Sequence, residues 1–396
     1  MQPERHPGLD LPAPDEASAA HCRRVCEHIA QMIEECGGSI SFAEFMQQAL
    51  YAPGLGYYVS GTTKFGADGD FVTAPETSPL FGNVLATQIA SVLDQMNGGD
   101  VFELGAGSGV LAATILRKLA VLNSLPNRYY ILEVSADLQK RQADFLRNEV
   151  PELLEIVEWL SELPADFAGV IVANEVADAL PVERFRIVDG QVLQVRVGEE
   201  RGEFRWQQTA APETLGKAVK NIEEQTGSEL PNGYSSEVCL ALAPWICDLV
   251  NCLGNGIIFL FDYGVTRCEY YAPDRHDGWL RCHYRHRAHN NPLIYPGIQD
   301  LTSWVDFSAV AEAAVGNGVD IAGFVSQAHF LISGGLQDEL AEFTSLPLEE
   351  QLELSRQTKL LTLPGEMGEN FKCIGLSRGD IKPPSAFHDA YRLHML

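Results

Sequence analysis

The spacing of hydrophobic positions changes near residue 100, and this change divides the chain into a helical first part and an alternating second part. Residues 21–35 and 42–50 carry apolar side chains at the spacing of amphipathic helices, and Ser41 with Glu44 forms a capping-box pattern before the second helix. A long loop rich in Gly, Pro and Tyr follows, and residues 78–96 return to helical spacing. We therefore predict an N-terminal helical region that a long, aromatic-rich loop interrupts.

Short apolar runs alternate with helical segments after residue 100, as in a parallel α/β sheet. The run at 169–173 is apolar throughout, which is typical of a strand buried on both faces. Strands joined through helices pair in parallel with right-handed crossovers, so we predict a doubly wound, Rossmann-like sheet. The predicted strands are 101–104, 129–134, 156–159, 169–173, 257–261 and 371–376, and the predicted helices are 111–119, 136–148, 238–253, 306–315 and 346–359.

Two segments depart from this alternation and predict additions to the sheet. Residues 184–206 have the pattern of a β-hairpin that turns at Asp189-Gly190, and residues 265–302 form an irregular polar stretch. The predicted organisation is a flexible leader over 1–20, N-terminal helices with a cofactor-covering segment over 21–98, a core over 99–264 with a hairpin insertion near 184–208, an inserted substrate or lid subdomain over 265–305, and a C-terminal completion of the core sheet with a tail over 306–396.

The charge balance narrows the classes of ligand. The chain has 28 basic and 54 acidic side chains, a formal net charge of −26, which disfavours nucleic-acid phosphates and favours cationic substrates or a basic protein partner. No apolar run reaches the roughly 20 residues of a membrane-spanning helix, so we expect no membrane insertion. The nine cysteines form no CxxC pair, and the N-terminus resembles neither a secretory signal nor a mitochondrial leader. These features predict a cytoplasmic protein, with a bacterial cytosol as the preferred location.

A glycine-rich turn joins the first predicted strand of the sheet to its helix. The sequence Gly105-Ala106-Gly107-Ser108-Gly109 follows Leu104 directly. Glycines let the backbone turn tightly and approach a ligand without a Cβ in the way. The third glycine comes one position early for the dinucleotide pattern, and no Gly-Lys-Ser/Thr follows for a phosphate loop. Taken alone, the turn indicates either a ligand site or only the start of a helix.

Two carboxylates near the ends of the first two strands favour a cationic nucleoside as the ligand. Glu103 lies two residues before Gly105, where it suits the sulfonium and ammonium groups of S-adenosylmethionine and would repel a pyrophosphate. Glu133 follows the second strand, where a carboxylate can accept both hydroxyls of a ribose. We place the next residue, Val134, at the cofactor as well. S-adenosylmethionine is the predicted cofactor, and NAD is the alternative.

Polar residues follow the fourth strand of the predicted sheet. Asn174, Glu175 and Asp178 come directly after an apolar run, so we expect them to face the methyl donor at the carboxyl edge of the sheet. Two carboxylates can hold a guanidinium by charge-assisted hydrogen bonds and orient its nitrogen. Methyl transfer is a single in-line displacement, which positioning and electrostatics can accelerate. We predict these three residues as catalytic, with helix capping as the alternative role of Asp178.

The stretch 281–289 is the most basic part of this acidic chain. Cys282, His283, His286 and His289 suggest a metal site, but three arginines among them would repel a cation. A closed zinc site needs four well-placed ligands. We therefore predict no metal and expect a substrate-contacting loop or a lid, with phosphate or partner binding as the alternative.

Several motifs lie along the chain between about residues 24 and 378: Phe45-Met46 with Leu50-Tyr51-x-Pro53-x-x-Gly56-Tyr57-Tyr58, Gly69-Asp70-Phe71-Val72-Thr73-Ala74-Pro75-Glu76, Phe102-Glu103-Leu104-Gly105-Ala106-Gly107-Ser108-Gly109, Asn174-Glu175-x-x-Asp178-Ala179-Leu180-Pro181, Asp262-Tyr263-Gly264, the loop 281–286, Gly297-x-Gln299-Asp300-Leu301-Thr302 with Val305-Asp306-Phe307, and Met367-Gly368-x-x-Phe371-Lys372. Their resemblance to the motifs of the MidA-like methyltransferases covers nearly the whole of this range. It implies a class I methyltransferase fold with an inserted subdomain, S-adenosylmethionine as the donor and a protein arginine as the acceptor, because the family includes a mitochondrial arginine methyltransferase that assists assembly of respiratory complex I. It also implies that the segment 69–76 folds over the cofactor, with Thr73 and Pro75 as contacts.

Different functions remain open at this point. A protein arginine methyltransferase, with a protein substrate that carries a basic site, agrees best with the acidic residues and the negative net charge. One alternative is a methyltransferase that acts on a nitrogen or oxygen of a small molecule. Another is a respiratory-complex-type assembly factor whose main role is binding. A homodimer is compatible with each of these functions.

Overall fold

The computed structural model of the chain describes residues 11–60, 73–389 and 392–396. Its helices are α1 Glu16–Glu35, α2 Phe42–Tyr51, α3 Ala74–Thr77, α4 Pro79–Met96, α5 Val110–Val121, α6 Ala136–Glu149, α7 Glu213–Thr226, α8 Leu242–Cys252, α9 Arg267–Tyr270, α10 Phe307–Val315, α11 Gln327–Ser333, α12 Leu336–Glu339, α13 Leu348–Thr362 and α14 Met367–Asn370. Its strands are β1 Ser39–Ser41, β2 Asp100–Leu104, β3 Tyr129–Leu132, β4 Val157–Leu160, β5 Phe167–Asn174, β6 Glu183–Val188, β7 Gln191–Glu200, β8 Glu203–Ala210, β9 Ser235–Val238, β10 Leu253–Val265, β11 Arg281–Tyr284, β12 Arg287–His289, β13 Asp300–Thr302, β14 Val305–Asp306, β15 Asp320–Ser326 and β16 Phe371–Arg378. No helix in the described ranges is long and apolar enough to cross a membrane.

The chain divides into two compact units. The first, here called the accessory unit, comprises Met1–Phe71, Asp178–Leu242 and Arg267–Trp304. The second, here called the core unit, comprises Val72–Ala177, Ala243–Thr266 and Val305–Leu396. The chain therefore passes between the two units several times, once directly after Ala177.

The core unit contains an eight-stranded, mostly parallel sheet. Its strand order is β15-β16-β10-β5-β2-β3-β4, and β14 pairs with β10. Neighbours from β10 to β4 pair in parallel, whereas β16 is antiparallel to both β10 and β15. The direction of winding reverses between β2 and β5, because β3 and β4 lie on one side and β10 on the other. Such a reversal creates a crevice at the carboxyl ends of the strands, where ligands bind in open α/β sheets.

The register of the core sheet brings the polar strand ends together. Leu104 on β2 pairs with Leu132 on β3 and with Ala173 on β5. The residue after each of these is Gly105, Glu133 and Asn174, so the three lie side by side at one edge of the sheet. This edge is the carboxyl edge that the alternating pattern predicts.

The central strands form the core because their side chains are apolar on both faces. Val170 and Val172 point to one face and Ile171 to the other, and all are fully buried. Transfer of each such side chain from water contributes about 1.5–3 kcal/mol to folding. The helix α4 covers this sheet; Ser78 caps it by accepting the N–H of Leu80 at 3.2 Å.

The accessory unit contains two smaller antiparallel sheets. One has the order β1-β7-β6-β9 with β8 also paired to β7, and the other has the order β12-β11-β13. The hairpin of β6 and β7 turns at Asp189-Gly190, and both residues have positive φ (50° and 74°), as a type I′ turn requires. The capping box of α2 is present, since Ser41 Oγ accepts the N–H of Glu44 at 3.1 Å and the Ser41 N–H donates to Glu44 Oε2 at 2.7 Å. Both local predictions are confirmed.

Several elements differ from the sequence prediction. The first helix begins at Glu16, where Asp15 accepts the N–H of Ser18, so it extends into the predicted leader; residues 1–10 of that leader lie outside the described ranges. The helix predicted over 238–253 begins at Leu242, and Ser235–Val238 is a strand paired with β6. The stretch 265–302 is not irregular, because α9, β11, β12 and β13 lie within it. Its polar residues alternate with buried ones, as His283 does between Cys282 and Tyr284, which is the pattern of a half-buried strand.

Candidate functional site

The glycine loop between β2 and α5 has the backbone conformation that only glycine adopts readily. Gly105, Gly107 and Gly109 have φ of 63°, 54° and 88°. A Cβ on Gly105 would lie 3.3 Å from Val176 Cγ2, so the loop also passes close to the segment after β5. The N-cap residue of α5 is Gly109, which has no side chain to accept the first N–H groups of this helix. Such N–H groups at the start of a helix can bind polar atoms of a ligand.

Glu103 is a buried carboxyl group on β2, two residues before the first glycine of this loop. Its side chain is 2% exposed, and its Oε2 accepts a hydrogen bond from the hydroxyl of Tyr129 at 2.6 Å. Burial raises the pKa of Glu103 to about 7, against the smaller opposing effect of that hydrogen bond. A cationic ligand nearby would favour the ionised form, so Glu103 has the properties expected of a partner for an ammonium group. Its contact with the cofactor stays a prediction.

The raised pKa of Glu103 predicts a pH-dependent contribution to stability. Between about pH 4.3, the usual carboxyl value, and the folded-state pKa of about 7, the folded protein binds more protons than the unfolded protein. The free energy of unfolding therefore falls through this range as the pH rises. Glu103→Gln lacks this titrating group. As the pH rises through this range, the free energy of unfolding of the variant should therefore increase relative to that of wild type, at most by about 1.4 kcal/mol per pH unit. Urea unfolding from pH 5 to pH 8 measures the difference. The control is Glu152→Gln at an exposed position. If the free energies of unfolding of Glu103→Gln and wild type change in parallel with pH, Glu103 does not have a raised pKa in the folded protein.

Glu133 follows β3 and is held by two donors. Its Oε1 accepts the N–H of Ser135 at 2.9 Å, and its Oε2 accepts a hydrogen bond from Gln142 Nε2 at 3.2 Å. Each carboxylate oxygen has further acceptor capacity, so the group can still receive ribose hydroxyls. The neighbouring Val134 is 73% exposed, which leaves an apolar surface beside this carboxylate. The roles of Glu133 and Val134 at the cofactor stay predictions.

The segment before α4 contacts the glycine loop through Glu76, which was not among the predicted site residues. Ser108 donates a hydrogen bond from its hydroxyl to the carboxylate of Glu76, which lies on α3. Thr73 precedes α3 and Pro75 lies in its first turn, so both predicted cofactor residues belong to the element that contacts the loop. The part of the predicted covering segment over 69–72 lies outside the described residues. Glu76 stands in the resemblance motif, but nothing in that motif indicates Ser108 as its partner.

Asn174 and Glu175 form a connected polar pair at the end of β5. Asn174 Nδ2 donates to Glu175 Oε1 at 3.1 Å. Asn174 Oδ1 is buried and has no hydrogen-bond partner among the described residues. Glu175 has φ of 52°, a left-handed conformation that is unfavourable for a residue with a Cβ, and its N–H donates to the carbonyl of Phe261 at 2.9 Å. Buried unpaired acceptors and strained backbone both occur preferentially at functional sites.

Asp262 holds the turn that carries this pair, a role that the sequence did not indicate. It is fully buried on β10; its Oδ2 accepts the N–H of Ala177 at 2.9 Å and its Oδ1 accepts the N–H of Tyr263 at 2.8 Å. Phe261, the preceding residue, pairs with Asn174 in the sheet. The carboxylate therefore ties the end of β5 to the end of β10.

Replacement of Asp262 by Asn should therefore destabilise the turn. An amide offers only one acceptor, so its NH₂ group would face one of the two backbone N–H donors, at a cost of about 1–3 kcal/mol. We expect a lower free energy of unfolding in urea and a lower kcat, with the Kd for S-adenosylmethionine nearly unchanged. The exposed Asp320→Asn on β15 is the control. Unchanged stability of Asp262→Asn would show that its carboxylate does not hold the turn.

Asp178 belongs to the accessory unit, unlike Asn174 and Glu175. It is 5% exposed, and its main-chain carbonyl accepts the N–H of Ser303 at 2.9 Å. Burial raises the pKa of Tyr51, and the negative charges of Asp300 and Asp178 add to this effect. The hydroxyl of Tyr58 donates to Asp300 Oδ1 at 2.8 Å. Three resemblance motifs thus meet in one buried cluster of tyrosines and carboxylates within the accessory unit.

The basic stretch 281–289 forms the strands β11 and β12. Burial lowers the pKa of His283 to about 4, with further contributions from His289 and Arg281, so this imidazole is neutral at physiological pH. Arg285 at the exposed turn pairs with Asp15 at 2.5 Å. Among the described residues, no group of three or more His, Cys, Asp or Glu side chains is arranged to hold a metal ion.

Comparison with known proteins identifies the family. A family model described as "Putative S-adenosyl-L-methionine-dependent methyltransferase" matches residues 84–325. The crystal structure of a Burkholderia thailandensis protein bound to S-adenosyl-homocysteine is 38% identical, has a TM-score of 0.92, and covers 98% of this chain and 100% of that chain. "Protein arginine methyltransferase NDUFAF7 homolog, mitochondrial" of Drosophila melanogaster is 28% identical over 95% of this chain and 90% of that protein. "Protein arginine methyltransferase NDUFAF7, mitochondrial" of Danio rerio is 27% identical over 90% of this chain and 87% of that protein.

These findings correct one prediction and confirm the central ones. The prediction of a cytoplasmic location is wrong, because the curated relatives are named as mitochondrial proteins. The class I fold is confirmed by the likeness to the Burkholderia structure, and S-adenosylmethionine is confirmed as the cofactor by the family match and by the product bound in that structure. The chain therefore belongs to the MidA-like family of S-adenosylmethionine-dependent methyltransferases, and it is an enzyme of this class.

Proposed function

We propose that this methyltransferase transfers the methyl group to a nitrogen of an arginine side chain in a protein substrate. The observation that carries the proposal is the polar pair Asn174 and Glu175 at the carboxyl edge of the core sheet, one strand away from the glycine loop. The pairing of Leu104 with Ala173 sets Gly105 beside Asn174. A residue in this position is adjacent to a ligand held by the loop.

The amide of Asn174 is oriented to accept a hydrogen bond from a substrate. Its Nδ2 donates to Glu175, so its Oδ1 is the group left without a protein donor among the described residues. A buried acceptor without a donor costs about 1–3 kcal/mol. An N–H of a guanidinium could donate to Asn174 Oδ1. This hydrogen bond would remove the cost and would position the guanidinium. A hydroxyl or thiol that receives the methyl group has a single hydrogen-bond donor, whereas a guanidinium has several N–H donors in one plane.

The carboxylate of Glu175 supplies the complementary charge. S-adenosylmethionine supplies the methyl group when it is bound. A guanidinium keeps its proton in proteins, because its pKa is above 12, so the proton must leave as the nitrogen is methylated. Glu175 can pair with the guanidinium before transfer and accept this proton afterwards. The strained φ of 52° at Glu175 is what aims its side chain differently from a regular strand residue.

Asp178 is also proposed as a catalytic residue. It lies three residues after Glu175 in the chain and is buried. A carboxylate can form bidentate, charge-assisted hydrogen bonds with a guanidinium. The proposed roles of Glu103, Glu133, Val134, Thr73, Pro75 and the loop residues Gly105, Ala106, Gly107, Ser108 and Gly109 at the cofactor complete the site.

A protein with a basic site is the proposed substrate. The net charge of −26 favours approach of a basic partner and disfavours nucleic acid. The relatives in Drosophila melanogaster and Danio rerio are named protein arginine methyltransferases, which supports the same acceptor here.

The test is incubation of the enzyme with S-adenosylmethionine labelled on its methyl group and an extract of cells that lack the enzyme. Label in protein that yields methylated arginine after acid hydrolysis is the expected result. Label in small molecules, or in another amino acid, would overturn the arginine proposal. Glu175→Gln serves as the inactive control, since its glutamine keeps the shape of the side chain but not its charge.

A further inference from the structure

A buried glutamine on α6 connects the two halves of the cofactor site. We infer that Gln142 is a positioning residue that holds the glycine loop and Glu133 in the one arrangement that binds S-adenosylmethionine. This inference rests on the proposed cofactor roles of the loop and of Glu133. Gln142 was not among the predicted site residues; its spacing from Leu138 and Leu146 indicated only a place on the buried face of the helix.

The side-chain amide of Gln142 forms hydrogen bonds through both its nitrogen and its oxygen. Its Nε2 donates to the carbonyl of Gly107 at 3.0 Å and to Glu133 Oε2 at 3.2 Å. Its Oε1 accepts a hydrogen bond from the indole nitrogen of Trp159 at 2.9 Å. The side chain is fully buried, so water does not compete for these bonds.

The chemistry of the three partners requires an amide at this position. A carbonyl and a carboxylate can only accept hydrogen bonds, and an indole N–H can only donate one. Among side chains of this length, glutamine alone offers two N–H donors and one acceptor on one end. Trp159 also determines which way the amide points, because the reversed amide would place NH₂ against the indole N–H.

The loop and the carboxylate come from different strands, so their relative position is not determined by either strand alone. Gly107 lies between β2 and α5, and Glu133 lies between β3 and α6. The backbone of Gln142 also packs against the loop, since a Cβ on Gly109 would lie 3.7 Å from Gln142 Cα. One side chain therefore links the turn proposed to hold the amino-acid end of the cofactor to the carboxylate proposed to hold its ribose.

The test compares two substitutions of similar size. Gln142→Met keeps the packing and removes the hydrogen bonds, and we expect the Kd for S-adenosylmethionine to rise about tenfold or more, as the loss of buried hydrogen-bond partners implies. Gln142→Glu places a second carboxyl group against Glu133. When one of the two carboxyl groups is protonated, its O–H can donate a hydrogen bond to the other group. When both carboxyl groups are ionised, their negative charges repel each other. The Kd of Gln142→Glu relative to wild type should therefore increase from about pH 6 to about pH 8.

The control is Gln88→Met with Gln88→Glu on α4. Gln88 is equally buried, and its amide donates to the carbonyl of Gly334 at 2.8 Å and accepts the N–H of Ala386 at 3.0 Å. Its variants should lower the thermal unfolding temperature as much as those of Gln142 and leave the pH profile of the Kd parallel to that of wild type. Calorimetric titration with S-adenosylmethionine and with S-adenosyl-homocysteine measures each Kd without any acceptor.

The outcomes separate this inference from the proposals on which it rests. A wild-type Kd and pH profile in both Gln142 variants would overturn the positioning role. If Glu133→Gln also binds both nucleosides normally, the assignment of Glu133 itself fails. If Glu133→Gln weakens binding, the binding free energy lost in the double variant with Gln142→Met should be smaller than the sum of the two single losses. The reason is that the Gln142 amide acts through the Glu133 carboxylate. Full additivity would overturn the coupling.

Discussion

Replacement of Gly105 by valine should strongly weaken the binding of S-adenosylmethionine to a protein that remains folded. Gly105 has φ of 63°, where a residue with a Cβ costs about 1–2 kcal/mol and a β-branched residue costs more. Its Cβ would also lie 3.3 Å from Val176 Cγ2, so the valine methyl groups would displace the segment that follows Glu175. Together these effects should raise the Kd by about a hundredfold or more. Calorimetric titration measures the Kd, and thermal unfolding checks the fold.

The matched control for this substitution is Gly227→Val at the end of α7. Gly227 has a similar φ of 68°, but no atom lies within 4 Å of the position of its Cβ. Its variant carries the same backbone strain and should bind S-adenosylmethionine as wild type does. Normal binding by Gly105→Val would show that the loop is not the cofactor site.

Replacement of Glu175 by glutamine should lower kcat about a hundredfold or more, as the loss of a proton-accepting group does in other enzymes. The Kd for S-adenosylmethionine should stay within about twofold of wild type, because the carboxylate is proposed to contact the acceptor and not the donor. Single-turnover methylation of the labelled protein substrate measures the rate. Asn174→Leu should likewise reduce the rate, since it removes both the acceptor Oδ1 and the donor to Glu175.

The exposed Glu158→Gln on β4 controls for the general loss of one negative charge. It should methylate at the wild-type rate. A Glu175→Gln enzyme with the same rate as Glu158→Gln would remove Glu175 from the reaction. A raised Kd with an unchanged rate would instead move Glu175 to the cofactor half of the site.

Local chemistry determined a large part of this protein. The glycine loop was predictable, because the tight turn after Leu104 needs positive φ at three positions and glycine alone adopts it readily. The capping box at Ser41 and the turn at Asp189-Gly190 depend on neighbours within a few residues, and both are present. The alternation of apolar runs with helices sufficed for the parallel sheet, because few topologies satisfy right-handed crossovers.

Only the tertiary structure decided which distant residues act together. Gln142 and Asp262 contact partners that lie 35 and 85 residues away in the chain, and no spacing rule connects such pairs. The strand at Ser235–Val238 was missed because its pairing partner, β6, supplies the hydrogen bonds that its own short sequence does not indicate. The sequence by itself therefore determined the fold class and the residues of the glycine loop. The folded chain decided how these strand ends are held, because Gln142 on α6 donates to the Glu133 carboxylate, and Phe261 on β10 pairs with Asn174 and accepts the N–H of Glu175.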